Sequence, residues 1–200
     1  KKKKTASDVF AIDTSTSDSS GDVLASTFPV DMYLYGRRDS GNNGIMARLT
    51  ETRLFTDTNG TEGSLGSYVD FDRQTGIKRN ALLGNASTVD YMWKRARGYF
   101  DVVAYTGNGN SPQNHSHNLK VAPEMMWIKQ RDEARDWSVY HKDIPVTNMV
   151  YLNTSGSLGT GKWASTAPTS SVFTTSGDDR VGGNGHTYIA YLFATVAGVS

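Results

Sequence analysis

Residues 98–132 read GYFDVVAYTGNGNSPQNHSHNLKVAPEMMWIKQRD, and the reading of this stretch decides the fold. It opens as a strand in which Phe100, Val102 and Ala104 lie on one side and Tyr99, Val103 and Tyr105 on the other. Apolar residues on both sides predict a strand covered on both faces. The run Thr106, Gly107, Asn108, Gly109, Asn110 then breaks it, because Gly and Asn tolerate the positive φ of tight turns. A polar loop follows, and Pro123 leads into a second apolar run over residues 125–128.

The same plan occurs twice. At an offset of 93, residues 8–39 align without a gap on 101–132. Asp8, Val9, Ala11, Met32, Arg38 and Asp39 recur as Asp101, Val102, Ala104, Met125, Arg131 and Asp132, with Asp31 facing Glu124. Ordinary residue usage gives about two identities in such a window, so six point to a repeat. At an offset of 100, Val89, Tyr91, Trp93 and Gly98 face Ile189, Tyr191, Phe193 and Gly198. The chain therefore divides into residues 1–97, with a basic arm at 1–7, and residues 98–200.

The totals bound the class of molecule. A chain of 200 residues supports units that each bury a core. A net charge of +1 provides no whole-protein field to recruit nucleic acid or a membrane. There is no run of apolar residues long enough for a spanning helix. With no Cys there is neither a disulfide framework nor a thiol nucleophile. Gly, Ser, Thr and Asn abound, whereas Glu occurs only at 51, 62, 124 and 133, a composition that favours short strands joined by turns. Sequons at Asn59, Asn85, Asn114 and Asn153 carry no weight without a signal peptide.

Along the chain, strands are expected at residues 8–13, 32–35, 45–55 (one strand or a bent pair), 68–71 and 88–96, and in the second unit at 100–105, 125–128, 137–141, 150–152, 171–174 and 187–197. Turns fall at 14–21, 39–44, 57–60, 84–85, 107–114, 156–161 and 177–185. In residues 88–96, Val89, Tyr91 and Trp93 share one face, while Met92 sits with Asp90 and Lys94 on a face expected to be half-exposed. No segment carries a capped stripe of helical period. The expected fold is all-β, with about six or seven strands per unit: two tandem β-sandwich repeat domains of jelly-roll or lectin-like type.

Each candidate site competes with a plainer reading. Residues 156–163 (GSLGTGKW) nearly spell a phosphate-binding loop, but that motif needs Ser or Thr after the Lys and a helix behind it, and Trp163 fills the position. His115 and His117 stand two apart, as ligands on one strand face would, yet no third His or Cys is near; no metal and no cofactor is assigned. His141 and His186 are isolated. No Gly-x-Ser-x-Gly elbow marks a serine hydrolase. Asp31 and Glu124 are repeat-equivalent, which argues for a role in the fold, with Arg38 and Arg131 as ion-pair partners, over the paired carboxylates of a glycosidase. The residues 57–60 (DTNG) lack the spacing and closing Glu of an EF-hand and read as a hairpin turn. Trp93 and Trp127 lie on apolar strands and belong to cores. Trp137, beside a turn, and Trp163, in the Gly-rich loop, are the candidate surface rings for ligand binding.

Several stretches resemble a tandem-repeat domain of unknown function that recurs in large virion proteins of tailed bacteriophages, many of them marine. In the second unit these are residues 98–109 (GYFDVVAYTGNG), 117–119 (HNL), 122–125 (APEM), 131–132 (RD), 137–140 (WSVY), 152–153 (LN), 165–173 (STAPTSSVF) and 187–194 (TYIAYLFA). In the first they are 28–32 (FPVDM) and 93–96 (WKRA). Lys120 departs from the Gly usual after His-x-Leu. The resemblance implies a non-enzymatic virion protein, a tail fibre, tail tip or other surface appendage, acting by assembly and host-surface attachment. It implies other virion proteins as partners, a homo-oligomer such as a trimer, and a chain that continues into further copies. A glycan-binding receptor-recognition module working through Trp137 and Trp163, or a capsid decoration protein, is the alternative. A depolymerase is least supported, given the sparse Glu.

Overall fold

The computed structural model describes residues 5–14, 22–38, 41–66, 68–80 and 88–197. The basic run 1–4, most of the 14–21 loop, Asp39 and Ser40, the 84–85 turn with its Asn85 sequon, and Gly198 lie outside the described residues. A 3-10 turn (Ala6–Asp8) precedes β1 (Phe10–Asp13), β2 (Asp22–Leu24), β3 (Met32–Arg37), β4 (Gly44–Ala47), β5 (Thr52–Phe55), β6 (Gly63–Ser64), β7 (Val69–Asp70), β8 (Ile77–Arg79) and β9 (Thr88–Trp93). Then come β10 (Phe100–Thr106), β11 (Gln113–Ser116), β12 (Met125–Gln130), β13 (Ser138–His141), β14 (Asn148–Tyr151), β15 (Gly159–Thr160), β16 (Val172–Thr175) and β17 (Thr187–Phe193). The protein is all-β. Among the described residues no helix is long and apolar enough to cross a membrane.

The chain forms two units. Unit 1 is built from residues up to Phe55 and from Gly63–Arg95; unit 2 from Thr56–Glu62 and Ala96–Val196. A single cut at residue 97 therefore misplaces the segment Thr56–Glu62. It belongs to unit 2 because Glu62 meets Arg131 there, through a carboxylate–guanidinium contact of 2.7 Å and a backbone bond from Glu62 N–H to the Arg131 carbonyl.

Each unit is a β-sandwich. In unit 1 a six-stranded antiparallel sheet, ordered β1-β9-β3-β4-β5-β6, faces a three-stranded one, β2-β8-β7. Tyr33, Met46 and Met92 from the first meet Leu24, Val69 and Ile77 from the second in one buried core. In unit 2 the large sheet runs β10-β17-β12-β13-β14-β15 and the small one is β11-β16. Met126, Ile128, Ala190 and Leu192 pack there against Phe173 of β16. Burial of these side chains stabilises each copy by about 1.5–3 kcal/mol per large residue, set against the entropy of ordering.

The strand order of the large sheets is identical, so the repeat is structural. Register fixes the correspondence: Met32 pairs with Trp93 in unit 1, and Met125 with Phe193 in unit 2. At the first strand, however, the ungapped alignment fails. Phe10 pairs with Trp93 and Phe100 with Phe193, so Phe10 answers to Phe100 and not to Val103. Ring contacts of 4.9 Å and 5.2 Å hold the two pairings. Cross-strand partners and the buried face set register, and they outweigh the chance matches of Asp8, Val9 and Ala11 with Asp101, Val102 and Ala104.

Three further expectations change. The strand β10 lies at a sheet edge, and it is buried throughout only over Phe100, Asp101 and Val102; beyond them exposure alternates. The polar segment Gln113–Ser116 forms a strand with no apolar pattern to announce it, because β16 supplies its ladder. Among the described residues unit 1 carries β1–β9 and unit 2 β10–β17, more than six or seven each, the excess being two-residue strands.

Candidate functional site

The two tryptophans singled out as surface rings are core residues. Trp137 is 0 % exposed and Trp163 1 %. Trp137 stacks at 6.2 Å on Tyr191. Trp163 meets Tyr140 edge-on at 5.9 Å and donates its indole N–H to the Asn148 carbonyl at 2.9 Å. A turn or a Gly-rich loop next to a large ring does not expose it: the loop folds inward because burying the ring gains more than the loop loses. Neither ring offers a face to a ligand.

The loop resembling a phosphate cradle is likewise occupied by its own chain. Lys162 Nζ lies 2.7 Å from Asp178, so its charge is already met, and no helix follows. The carboxylates of Asp31 and Glu124 hold the fold at equivalent points, although their partners are not Arg38 and Arg131. Asp31 lies 4.0 Å from Arg48 and accepts from the Arg95 N–H at 2.7 Å. Glu124 lies 3.0 Å from Lys142 and accepts from the Thr195 hydroxyl at 2.9 Å. Each acid thus ties the start of β3 or β12 to the end of the neighbouring strand. Arg131 instead pairs with Glu62.

His115 lies against Tyr105, with ring centroids 3.9 Å apart, and its Nε2 meets the Thr175 hydroxyl at 2.8 Å. His117 is buried, its Nδ1 accepting from the Leu119 N–H and its Nε2 meeting the Thr169 carbonyl. Both imidazoles are parts of the β11–β16 packing. Burial pushes His115 down to about 4 from 6.5 and moves His117 in the same direction. Between those two values the unfolded chain takes up a proton at His115 that the folded state refuses. Stability therefore falls as pH drops from about 6.5 to about 4. We expect a thermal midpoint about 5 °C lower across that window, and a flatter slope in His115→Gln, read by circular dichroism. An unchanged slope in the variant would exclude His115 as its source. His141, near Asp143, and His186, near Asp132, are partly exposed.

Lys129 is a buried titratable group with no signal in the sequence. Its Nζ donates to the carbonyls of Gln130 at 2.6 Å and Glu133 at 3.4 Å, closing the turn after β12. Burial moves its ammonium down to about 8, against the pull of Asp136 and Asp132.

Unit 1 holds the arrangement that nothing in the local pattern announces. Strand β9 turns Thr88, Asp90 and Met92 into the core and leaves Val89, Tyr91 and Trp93 less buried, the reverse of the expected facing. Asp90 is 0 % exposed and accepts from the Tyr33 hydroxyl at 2.5 Å and from Arg79 Nη1 at 3.1 Å. The Arg79–Asp90 pair spans the two sheets, from β8 to β9, with 3.0 Å to the second carboxylate oxygen. Burial raises the Asp90 carboxyl while Tyr33 and Arg79 pull it back. Arg79 Nη2 has no hydrogen-bond partner among the described residues. Arg79 also lines a cavity of about 850 Å³, with Glu51, Asp70, Asp72 and Lys78 among its charged residues. In unit 2 the register puts Met126 and Ala190 where unit 1 has Tyr33 and Asp90. The missed signal was this difference: one copy has a phenol and a carboxylate where the other has a thioether and a methyl group.

A family model described as a domain of unknown function, DUF7483, matches residues 86–200. The chain belongs to the DUF7483 family. The match takes in β9 and the strands of unit 2, so the DUF7483 model covers more than half of the chain. No curated protein and no solved structure matches this DUF7483 chain.

Proposed function

We propose that the chain is a structural component of a bacteriophage virion, part of a tail fibre or other surface appendage, which acts by assembly and host-surface attachment without catalysis. The observation that carries this reading is the tandem repetition of one sandwich plan with the same strand order in both large sheets. Tandem copies that each bury their own core let an appendage gain reach by adding units, with loops at their ends left to vary and bind. The stretches resembling phage virion proteins supply the context, and the carboxylates of Asp31 and Glu124 are engaged in tying strand ends together. Other virion proteins and further copies of this chain, as a trimer, are the partners.

Mass spectrometry of density-purified particles, with immunogold labelling by antibodies against this chain, tests the proposal. Peptides at multiple copies per particle, with gold on the tail, are expected. Confinement of the chain to the non-particle fraction of infected cells overturns the reading, and gold spread over the capsid replaces the appendage by a decoration protein.

A further inference from the structure

We propose that His117 is an acid-sensitive latch of unit 2: the neutral ring holds residues 117–119 against the edge of β10, and protonation of its Nδ1 releases them and bares that edge. The geometry admits one neutral form of the ring. Nδ1 accepts from the Leu119 N–H at 3.2 Å, so it carries a lone pair, and Nε2 lies 3.2 Å from the Thr169 carbonyl, so it carries the proton. An imidazolium has a proton on both nitrogens and keeps no acceptor for Leu119. A proton taken up from solvent at Nδ1 therefore sets two N–H groups against each other. Neither can turn to water in place, since His117 is 4 % exposed and Leu119 0 %.

The neighbours of His117 show what the latch holds. The Asn118 N–H donates to Asp101 Oδ2 at 2.7 Å, and the Gly98 N–H donates to the Leu119 carbonyl at 2.6 Å. These bonds lay residues 117–119 beside the start of β10, the edge strand of the large sheet, where Phe100 and Val102 are each 1 % exposed. A bared edge strand is a template for pairing with another strand. Asp101 from β10 and Lys120 from the segment itself are the charged groups that face His117, and His115 shares the Phe173 ring of β16 with it. Burial, helped by Lys120, keeps the ring neutral against the pull of the Thr169 carbonyl and of Asp101. A released ring binds its proton near 6.5 and the latched one only at lower pH, so the released form gains as pH falls below 6.5.

Amide hydrogen exchange of the full chain, read by NMR from about pH 7 to about pH 5 and expressed as protection factors, is the test. Protection at Gly98, Asn118 and Leu119 is expected to fall about tenfold for each pH unit below 6.5. Low urea is expected to leave exchange at these three amides unchanged, as a local opening requires, while speeding it at the β17 amides. His117→Asn provides an acceptor that reaches the N–H two residues on but does not titrate, and is expected to flatten the profile. His115→Gln is expected to leave the fall in place. Nitrogen-15 shifts of the His117 ring at about pH 7 are expected to report the Nε2–H form, a readout that needs no variant. Protection that does not fall, a fall that persists in His117→Asn or vanishes in His115→Gln, a urea response matching that of β17, or an Nδ1–H ring each overturns the proposal.

Discussion

Asp90→Ala is expected to destabilise unit 1 by about 3–5 kcal/mol, because it leaves the Arg79 guanidinium buried without its counter-charge. The same change also strips the Tyr33 hydroxyl of its acceptor. Most of the loss comes from the uncompensated charge and only a minor part from the contact itself, since a buried ion pair repays its desolvation with little to spare. The companion result follows from that asymmetry. Replacing the whole set together, Tyr33→Phe, Arg79→Met and Asp90→Leu, is expected to bring stability back to within about 2 kcal/mol of the parent. Unit 2 is the natural precedent, with Met126 and Ala190 at the points of Tyr33 and Asp90 in a large sheet of the same strand order. Hydrogen exchange at the β9 amides in urea reads unit 1 specifically. A triple variant as weak as Asp90→Ala would show that the cost lies in packing volume and not in charge.

The second large effect is expected in unit 2, where Gly177→Ala should cost about 3 kcal/mol or more. A Cβ at Gly177 would stand 2.1 Å from the Gly109 carbonyl oxygen and 2.6 Å from its carbon, both backbone atoms that cannot rotate away. The Gln113 side chain ties this corner together, accepting from the Asn108 N–H at 2.9 Å and donating to the carbonyls of Ser176 at 3.2 Å and Gly182 at 2.6 Å. Gly185 provides the contrast: its φ is +79°, but a Cβ there meets nothing within 4 Å. Gly185→Ala should therefore cost only the backbone strain of about 1–2 kcal/mol. Urea unfolding followed by tryptophan fluorescence compares the two, with buried Trp163 as reporter. Equal midpoints would mean that the chain segments at Gly109 and Gly177 separate at little cost.

How far the sequence was legible depends on where each piece of information sits. Residues 32–35 and 125–128 carry apolar runs behind a proline, and β3 and β12 begin at Met32 and Met125. The runs at residues 137–141, 171–174 and 187–197 likewise contain most of β13, β16 and β17. The polar strand β11 had no such signal, because its stability comes from the ladder to β16. The site was almost illegible. Asp90 beside Lys94 looks like a solvent face, and only the arrival of Arg79 from the opposite sheet makes an inward carboxylate affordable. Trp137 and Trp163 looked exposed because their neighbours are turn-formers, a property of backbone conformation that says nothing about where a side chain points.

The sequence by itself determined the strand-rich class, the two-copy plan and the positions of the long strands, since alternation, turn residues and self-similarity are local properties of the chain. The tertiary structure alone decided which face of β9 is inside, that Phe10 answers to Phe100 and not to Val103, and that Arg79 and Asp90 meet between the sheets of unit 1. Those outcomes rest on partners distant in the chain, as Tyr33 and Asp90 are, 57 residues apart. A period-two pattern states that two faces differ; which one is buried is settled by the groups that meet it across the sandwich.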